Sequence, residues 1–99
     1  MDRIRQKIIE FRDERGWKTF HNEKDLAISI SLEANELLEN FQWKSSEEAV
    51  KESEQNIKEE MADILIYLIQ LADKMNIDLE DEVLKKMKKN EIKYPVKAK

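Results

Sequence analysis

The sequence contains no cysteine, one glycine and one proline among its 99 residues. Without cysteine, disulfides, thiolate metal sites and cysteine nucleophiles are excluded. The same absence is compatible with a reducing compartment, and we expect a cytoplasmic protein. Tight turns favour glycine and proline, so a fold built from β-hairpins is disfavoured. The composition therefore predicts an all-α fold.

Long apolar segments are also lacking. The longest apolar run, Ile64 to Ile69, has six residues, whereas a membrane-spanning helix needs about 20. The first residues are charged throughout and do not resemble a signal peptide. The net charge is −4, which disfavours a protein that coats nucleic acid, because that function usually requires a basic face. We expect no membrane and no nucleic-acid polymer among the partners.

Hydrophobic and charged residues each make up 40% of the chain, a balance typical of amphipathic helices. Apolar positions at helical spacing predict four main helices, over about residues 2–15, 23–41, 54–75 and 78–93. We expect Gly16 to end the first helix and Asp78 to cap the last. Ser45 and Glu48 form a capping-box pattern that predicts a short helical piece before the third main helix. The chain is predicted to be one domain, residues 1–99.

The third main helix is apolar almost all round in its middle, MADILIYLIQLA. Such a helix needs to be buried on several sides. One small bundle cannot cover it fully, so we predict a dimer or a tetramer.

Acidic residues recur three positions apart, which places them on one helix face. The chain has five such pairs, about the number that chance predicts for its acidic content. Context distinguishes two of them. Glu33, paired with Glu36, interrupts an apolar stripe, and Asp63, paired with Glu60, is flanked by apolar residues. A buried carboxylate must be paired, protonated or bound to a metal. Oxygen ligands suit Mg²⁺ or Mn²⁺, whereas spacing alone favours ordinary solvated helix faces.

Four segments read in order carry a resemblance to a known family. They are ERGWKTFHNEKDL, LEANELLENFQWK, KEEMADILIYLIQLA and KKMKKNEIKYPV. Three motifs follow one another in these segments: ExxE with FQW, then ExxD with LxxLxxLA, then a closing Asn-x-x-Lys-Tyr-Pro. Their order resembles the MazG-like family, and particularly its dCTP pyrophosphatase branch. The resemblance implies a four-helix, self-associating all-α fold. It also implies Mg²⁺-dependent hydrolysis of a nucleoside triphosphate to the monophosphate and pyrophosphate.

The resemblance also implies residue roles. The implied metal ligands are Glu33, Glu36, Glu60 and Asp63. The positions implied to surround the base and sugar are Trp17, His21, Trp43 and Tyr67. The C-terminal group implied to close over the nucleotide, across a subunit interface, is Lys86, Asn90 and Tyr94. A glutamate that the metal does not fully occupy, Glu36 or Glu39, is our candidate for the base that takes the proton of water.

Two other classes of protein remain to be weighed. A non-catalytic helical oligomerisation or partner-binding module would also need an all-round apolar helix. It would not need the acid at Asp63 or the two tryptophans. A di-iron bundle needs Glu-x-x-His pairs, and the only histidine, His21, is in none.

Overall fold

The computed structural model describes residues 1–97, which form five α-helices and no strand. The helices are α1 (Asp2–Glu14), α2 (Glu23–Glu39), α3 (Ser46–Glu52), α4 (Glu54–Lys74) and α5 (Leu79–Lys93). Four are long and α3 has only seven residues. The predicted all-α class is confirmed, and most predicted boundaries lie within a residue or two of those observed.

The predicted helix ends are present. Gly16 follows α1 with a φ of 65°, a conformation that glycine adopts without strain. The side chain of Ser45 accepts a hydrogen bond from the backbone N–H of Glu48, and that of Asp78 accepts one from Asp81. Asn22 caps α2 in the same way, which the sequence analysis did not predict.

Helix α2 ends two residues earlier than predicted, at Glu39 rather than Phe41. The side chain of Asn40 donates to the carbonyl oxygens of Glu36 and Leu37, at 3.2 and 3.3 Å. These bonds satisfy carbonyls that the last turn of a helix leaves without partners. The chain therefore leaves the helix at Asn40 and enters the turn that carries Trp43.

Helices α2 and α4 form the main packing interface of the chain. The buried apolar residues are few: Leu26, Ala49, Ile69 and Ala72. Helix α1 is attached to α4 by an ion pair, because Arg12 is only 3% exposed and its Nη1 lies 2.9 Å from Oδ2 of Asp73. Side chains on the facing surfaces of α2 and α4 are therefore held in fixed positions relative to one another.

Many large apolar side chains remain exposed. Helix α5 has no buried residue, and its Val83, Leu84 and Met87 are each at least half exposed. Leu32 on α2 and Met61 on α4 are 59% and 58% exposed. Apolar surface distributed in this way is typical of a subunit surface, so self-association stays a prediction. Within residues 1–97, no helix is long and apolar enough to cross a membrane.

Candidate active site

The four acids predicted to bind metal lie on the two helices that pack together. Glu33 and Glu36 are on the C-terminal half of α2, and Glu60 and Asp63 are on the N-terminal half of α4. One carboxylate oxygen from each of Glu33, Glu36 and Glu60 lies within 4.8 Å of the others. Asp63 is outside this group, but it is half-buried and its charge contributes to raising the pKa of Glu33.

The environment of Glu33 is unfavourable for a negative charge. Its pKa is raised from 4.5 to about 7, first by a side-chain hydrogen bond with Glu60 and then by burial. Hydrogen bonding to Glu36 and the charges of Glu36 and Asp63 add to the effect. Carboxyl groups this close cannot all ionise without a compensating positive charge. The site must therefore hold a proton or a cation.

Two oxygen atoms of the acidic cluster are suited to bind a cation. Oε2 of Glu33 and Oε2 of Glu60 are buried and have no hydrogen-bond partner within residues 1–97. Buried polar atoms are nearly always satisfied in folded proteins, and each exception needs an explanation. A divalent cation that prefers oxygen ligands, such as Mg²⁺ or Mn²⁺, would satisfy both atoms and offset the repulsion. The residues present fit such an ion.

Tyr67 lies on the same face of α4 as Asp63, one turn further along. Its pKa is raised, mainly by burial and then by the charges of Glu33, Asp63 and Glu36. The Tyr67 side chain is therefore within electrostatic reach of the acids. A role for Tyr67 in the nucleotide site stays a prediction.

Trp17 and His21 lie together in the turn between α1 and α2. Their rings are 6.2 Å apart in an edge-on arrangement, and the backbone N–H of His21 donates to the carbonyl of Trp17. Lys74, near the end of α4, donates to the carbonyl of Lys18 and so ties this turn to α4. Lys74 itself lies about 16 Å along α4 from Asp63.

Trp43 is 95% exposed and has a φ of 63°, a conformation that is uncommon for a bulky residue. It contributes nothing to the core of this chain. An exposed, conformationally unfavourable tryptophan next to the acidic helix is available to contact a ligand.

The predicted C-terminal group lies on or just after α5. Within residues 1–97, this helix packs extensively against none of the other four. Lys86 is exposed, Asn90 is half-buried and Tyr94 is 68% exposed. One chain therefore does not pack this group against the acids. A contribution across a subunit interface stays a prediction.

The two candidates for the base differ in position. Glu36 is exposed and has an oxygen among the three acids that meet. Glu39 is also exposed, one turn beyond Glu36, and is outside that cluster among the described residues. Glu36 is the better placed of the two.

Two polar residues beside the acids were not predicted from the sequence. Nδ2 of Asn56 on α4 donates to Oδ1 of Asn40 after α2, at 2.7 Å. The position of Asn40, just after the acidic residues of α2, could have identified it as the end of the helix, since asparagine is common at helix ends. Nothing in the sequence alone pairs it with Asn56.

The sequence pattern of the MazG-like family matches residues 28–99. The chain belongs to the MazG-like family. It is 39% identical to dCTP pyrophosphatase 1 of Rattus norvegicus over 97% of this chain and 59% of that protein. The same protein of Bos taurus is 40% identical, over 97% of this chain and 60% of the relative. The chain thus spans about three-fifths of the length of the curated relatives it matches.

A solved structure is similar over nearly its whole length. It is the crystal structure of a pyrophosphatase from Archaeoglobus fulgidus, with a TM-score of 0.90 and 46% sequence identity. The match covers 97% of this chain and 93% of the other. The MazG-like family and fold predicted from the four sequence segments are confirmed.

Proposed function

We propose that this MazG-like chain hydrolyses a nucleoside triphosphate to the monophosphate and pyrophosphate, with Mg²⁺ held by Glu33, Glu36, Glu60 and Asp63. The observation that carries the proposal is the convergence of three carboxylates from two helices, with two buried oxygens that have no partner. Mn²⁺ is the expected substitute, because it takes the same oxygen ligands. The similarity to pyrophosphatases supports the reaction class.

The reaction is attack of water on the α-phosphorus, with cleavage of its bond to the oxygen that leaves with pyrophosphate. When bound, the metal would neutralise the triphosphate charge and favour the departure of pyrophosphate. Glu36 is exposed at the edge of the acidic cluster, where it can accept the proton of the attacking water. Tyr67, whose pKa is raised in part by the charges of the acids, is proposed to lie beside the base and sugar.

We assign base binding to the aromatic residues, with dCTP or a 5-substituted dCTP as the first candidate substrate. Trp17 and His21 form a packed pair at one end of α4, and Trp43 is exposed after α2. Aromatic rings contribute about 1–3 kcal/mol of stacking per base and discriminate poorly between bases. The choice of cytosine rests on the dCTP pyrophosphatase 1 relatives, all four of which match nearly the whole chain.

The active form in this proposal is a dimer or a tetramer. Within residues 1–97, α5 is not packed along another helix, and Lys86, Asn90 and Tyr94 would then complete the site of a neighbouring subunit. The exposed apolar residues of α2, α4 and α5 supply the contact surface. Hydrophobic burial between subunits would stabilise a chain whose own core is small.

The test is hydrolysis of the eight common nucleoside and deoxynucleoside triphosphates, each with Mg²⁺ and with EDTA, with products identified. We expect monophosphate and pyrophosphate, no turnover in EDTA, and the highest kcat/KM for dCTP. Inorganic phosphate and a diphosphate as products would refute the reaction. A purine nucleotide with the highest kcat/KM would refute the dCTP assignment and leave the reaction class standing.

The alternative function is a non-catalytic oligomerisation module. The exposed apolar residues on α5 favour it as much as they favour an oligomeric enzyme. The unpartnered oxygens of Glu33 and Glu60 do not, because an interface gains nothing from buried, mutually repelling acids. Absence of hydrolysis of all eight nucleotides by an assembled protein would favour the module.

A further inference from the structure

Asn40 connects the two helices of the acidic site. Its Nδ2 donates to the carbonyls of Glu36 and Leu37 at the end of α2, at 3.2 and 3.3 Å. Its Oδ1 accepts a 2.7 Å hydrogen bond from Nδ2 of Asn56 on α4. One side chain therefore ends α2 and joins that end to α4. We call this pair the asparagine bridge.

The asparagine bridge lies one helical turn from the acids on both helices. Asn40 follows Glu36 by four residues, and Asn56 precedes Glu60 by four. Four residues correspond to about 6 Å along a helix. The pair Asn40 and Asn56 and the pair Glu36 and Glu60 therefore link the same two helices at neighbouring turns.

The end of α2 needs such a restraint. The C-terminal half of the helix carries Glu33, Glu36 and Glu39, and no basic residue lies in its last turn. Negative charges are unfavourable at a helix C-terminus, where the unpaired carbonyls are themselves partially negative. Glu36 is also repelled by Glu60 across the interface. Both effects favour fraying of α2 and separation of the helices.

We propose that Asn40 and Asn56 are positioning residues that hold Glu36 of α2 at the metal-binding distance from Glu60 of α4. This inference rests on the proposed function, because it assigns the bridge a role in metal affinity. The bridge does not contact the metal or the substrate. It acts by keeping the ends of the two helices together against the repulsion of the acids, so that less rearrangement is needed when Mg²⁺ binds.

The test compares Asn56→Ala with Gln55→Ala, a matched control on the same helix. Asn56→Ala loses one hydrogen bond between the helices but gains helix propensity, so the chain should stay folded with only a small change in melting temperature. We expect its Mg²⁺ affinity, measured by calorimetry on the full chain, to fall about 3–10-fold, less than the loss typical of residues bonded directly to a ligand. The Mg²⁺ concentration for half-maximal activity should rise equally, while kcat at saturating Mg²⁺ stays near wild type.

Asn40→Ala removes the same bridge from the other side. Adding Asn56→Ala to it should weaken Mg²⁺ binding no further, since the shared hydrogen bond is already lost. If the losses of Mg²⁺ affinity in the two single variants add in the double variant, the bridge is overturned. An Mg²⁺ affinity of Asn56→Ala within twofold of wild type would also overturn it. A wild-type chain that binds no Mg²⁺ would overturn the proposed function together with the bridge. Wild-type binding that is equalled by Asn56→Ala would overturn the bridge alone.

Discussion

Glu33 on α2 and Glu60 on α4 each bury one carboxylate oxygen, Oε2, that has no hydrogen-bond partner in the part of the chain that the structure describes. A side-chain hydrogen bond with Glu60 is the largest cause of the raised pKa of Glu33, and burial is the next. Folding brings the two acids together because α2 and α4 bury Leu26, Ile69 and Ala72 in the core. The packing energy of the helices thus sustains an electrostatically unfavourable site.

The first prediction concerns the stability of the metal-free protein. The folded pKa of Glu33 is about 7, above its ordinary 4.5, so between these pH values the folded state holds a proton that the unfolded state has released. The free energy of unfolding should therefore fall as pH rises from about 4.5 to 7. Allowing for solvent screening, we expect a loss of about 1–2 kcal/mol.

Thermal unfolding in EDTA across this pH range measures the effect. Glu33→Gln, which cannot ionise, should flatten the decline, and Mg²⁺ should restore stability above pH 7. A wild-type stability that rises between pH 5 and 7 would contradict the predicted direction.

The second prediction separates the effect of the acids on metal binding from their effect on folding. Glu33→Gln and Asp63→Asn should each lower turnover at least tenfold, because removing a metal ligand usually costs more than that. Without metal, both variants should be as stable as wild type or more stable, since each removes a repelling charge. Circular dichroism, melting temperature and pyrophosphate release measure the two effects. Activity above about a tenth of wild type in both variants would refute the assignment of the metal ligands.

The third prediction concerns the attachment of α1. Arg12 is 3% exposed and pairs with Asp73, which also accepts a hydrogen bond from Arg5. Asp73→Ala leaves the buried guanidinium with only the exposed Asp13 as a partner. We expect a loss of about 2–4 kcal/mol in unfolding free energy. The control, Glu54→Ala, removes an exposed ion pair with Lys58 and should cost less than about 0.5 kcal/mol. Equal losses of unfolding free energy in the two variants would show that the burial of Arg12 does not strengthen its ion pair.

Helix positions and the acidic pairs were predictable from the sequence because they depend on local spacing. Ser45 and Asp78 begin helices through bonds to residues three positions later. Glu33 and Glu36 share a face for the same reason. The pairing of Asn40 with Asn56 depends on how two helices pack, and local spacing carries no information about it. The premature end of α2 was missed because the apolar pattern continues to Phe41, whereas Asn40 bonds back to the helix.

The fourth prediction is the assembly state. Large apolar residues of α5 are exposed, with Leu84 at 57% and Met87 at 54%, so light scattering should give a mass of about 24 or 48 kDa rather than the 11.9 kDa of one chain. Leu84→Glu should shift the protein toward monomer, because a charge would be buried in the contact. Lys89→Gln changes the net charge equally at an exposed position of α5 and should not. A wild-type monomer at micromolar concentration would refute the prediction.

The fifth prediction concerns Trp43. Its side chain is 95% exposed in one chain and its φ is 63°, so the indole gives the folded monomer little stability. Trp43→Ala should leave the melting temperature nearly unchanged. If the ring stacks on the base, its loss should raise KM by about 5–150-fold, the equivalent of 1–3 kcal/mol. Trp43→Phe, which keeps an aromatic face, should recover part of the affinity.

Trp43→Ala should raise KM for all pyrimidine triphosphates by similar factors, because stacking depends little on the identity of the base. The matched comparison is Phe20→Ala, which removes another exposed aromatic residue, 78% exposed, from the α1–α2 connection without a predicted role in binding. Steady-state kinetics on dCTP and dTTP measure both variants. An unchanged KM for Trp43→Ala, with the same assembly state as wild type, would exclude Trp43 from the nucleotide site. A fall in melting temperature with loss of assembly would instead place the indole in a subunit contact. Burial of the ring in that contact would then offset the unfavourable backbone angle of Trp43.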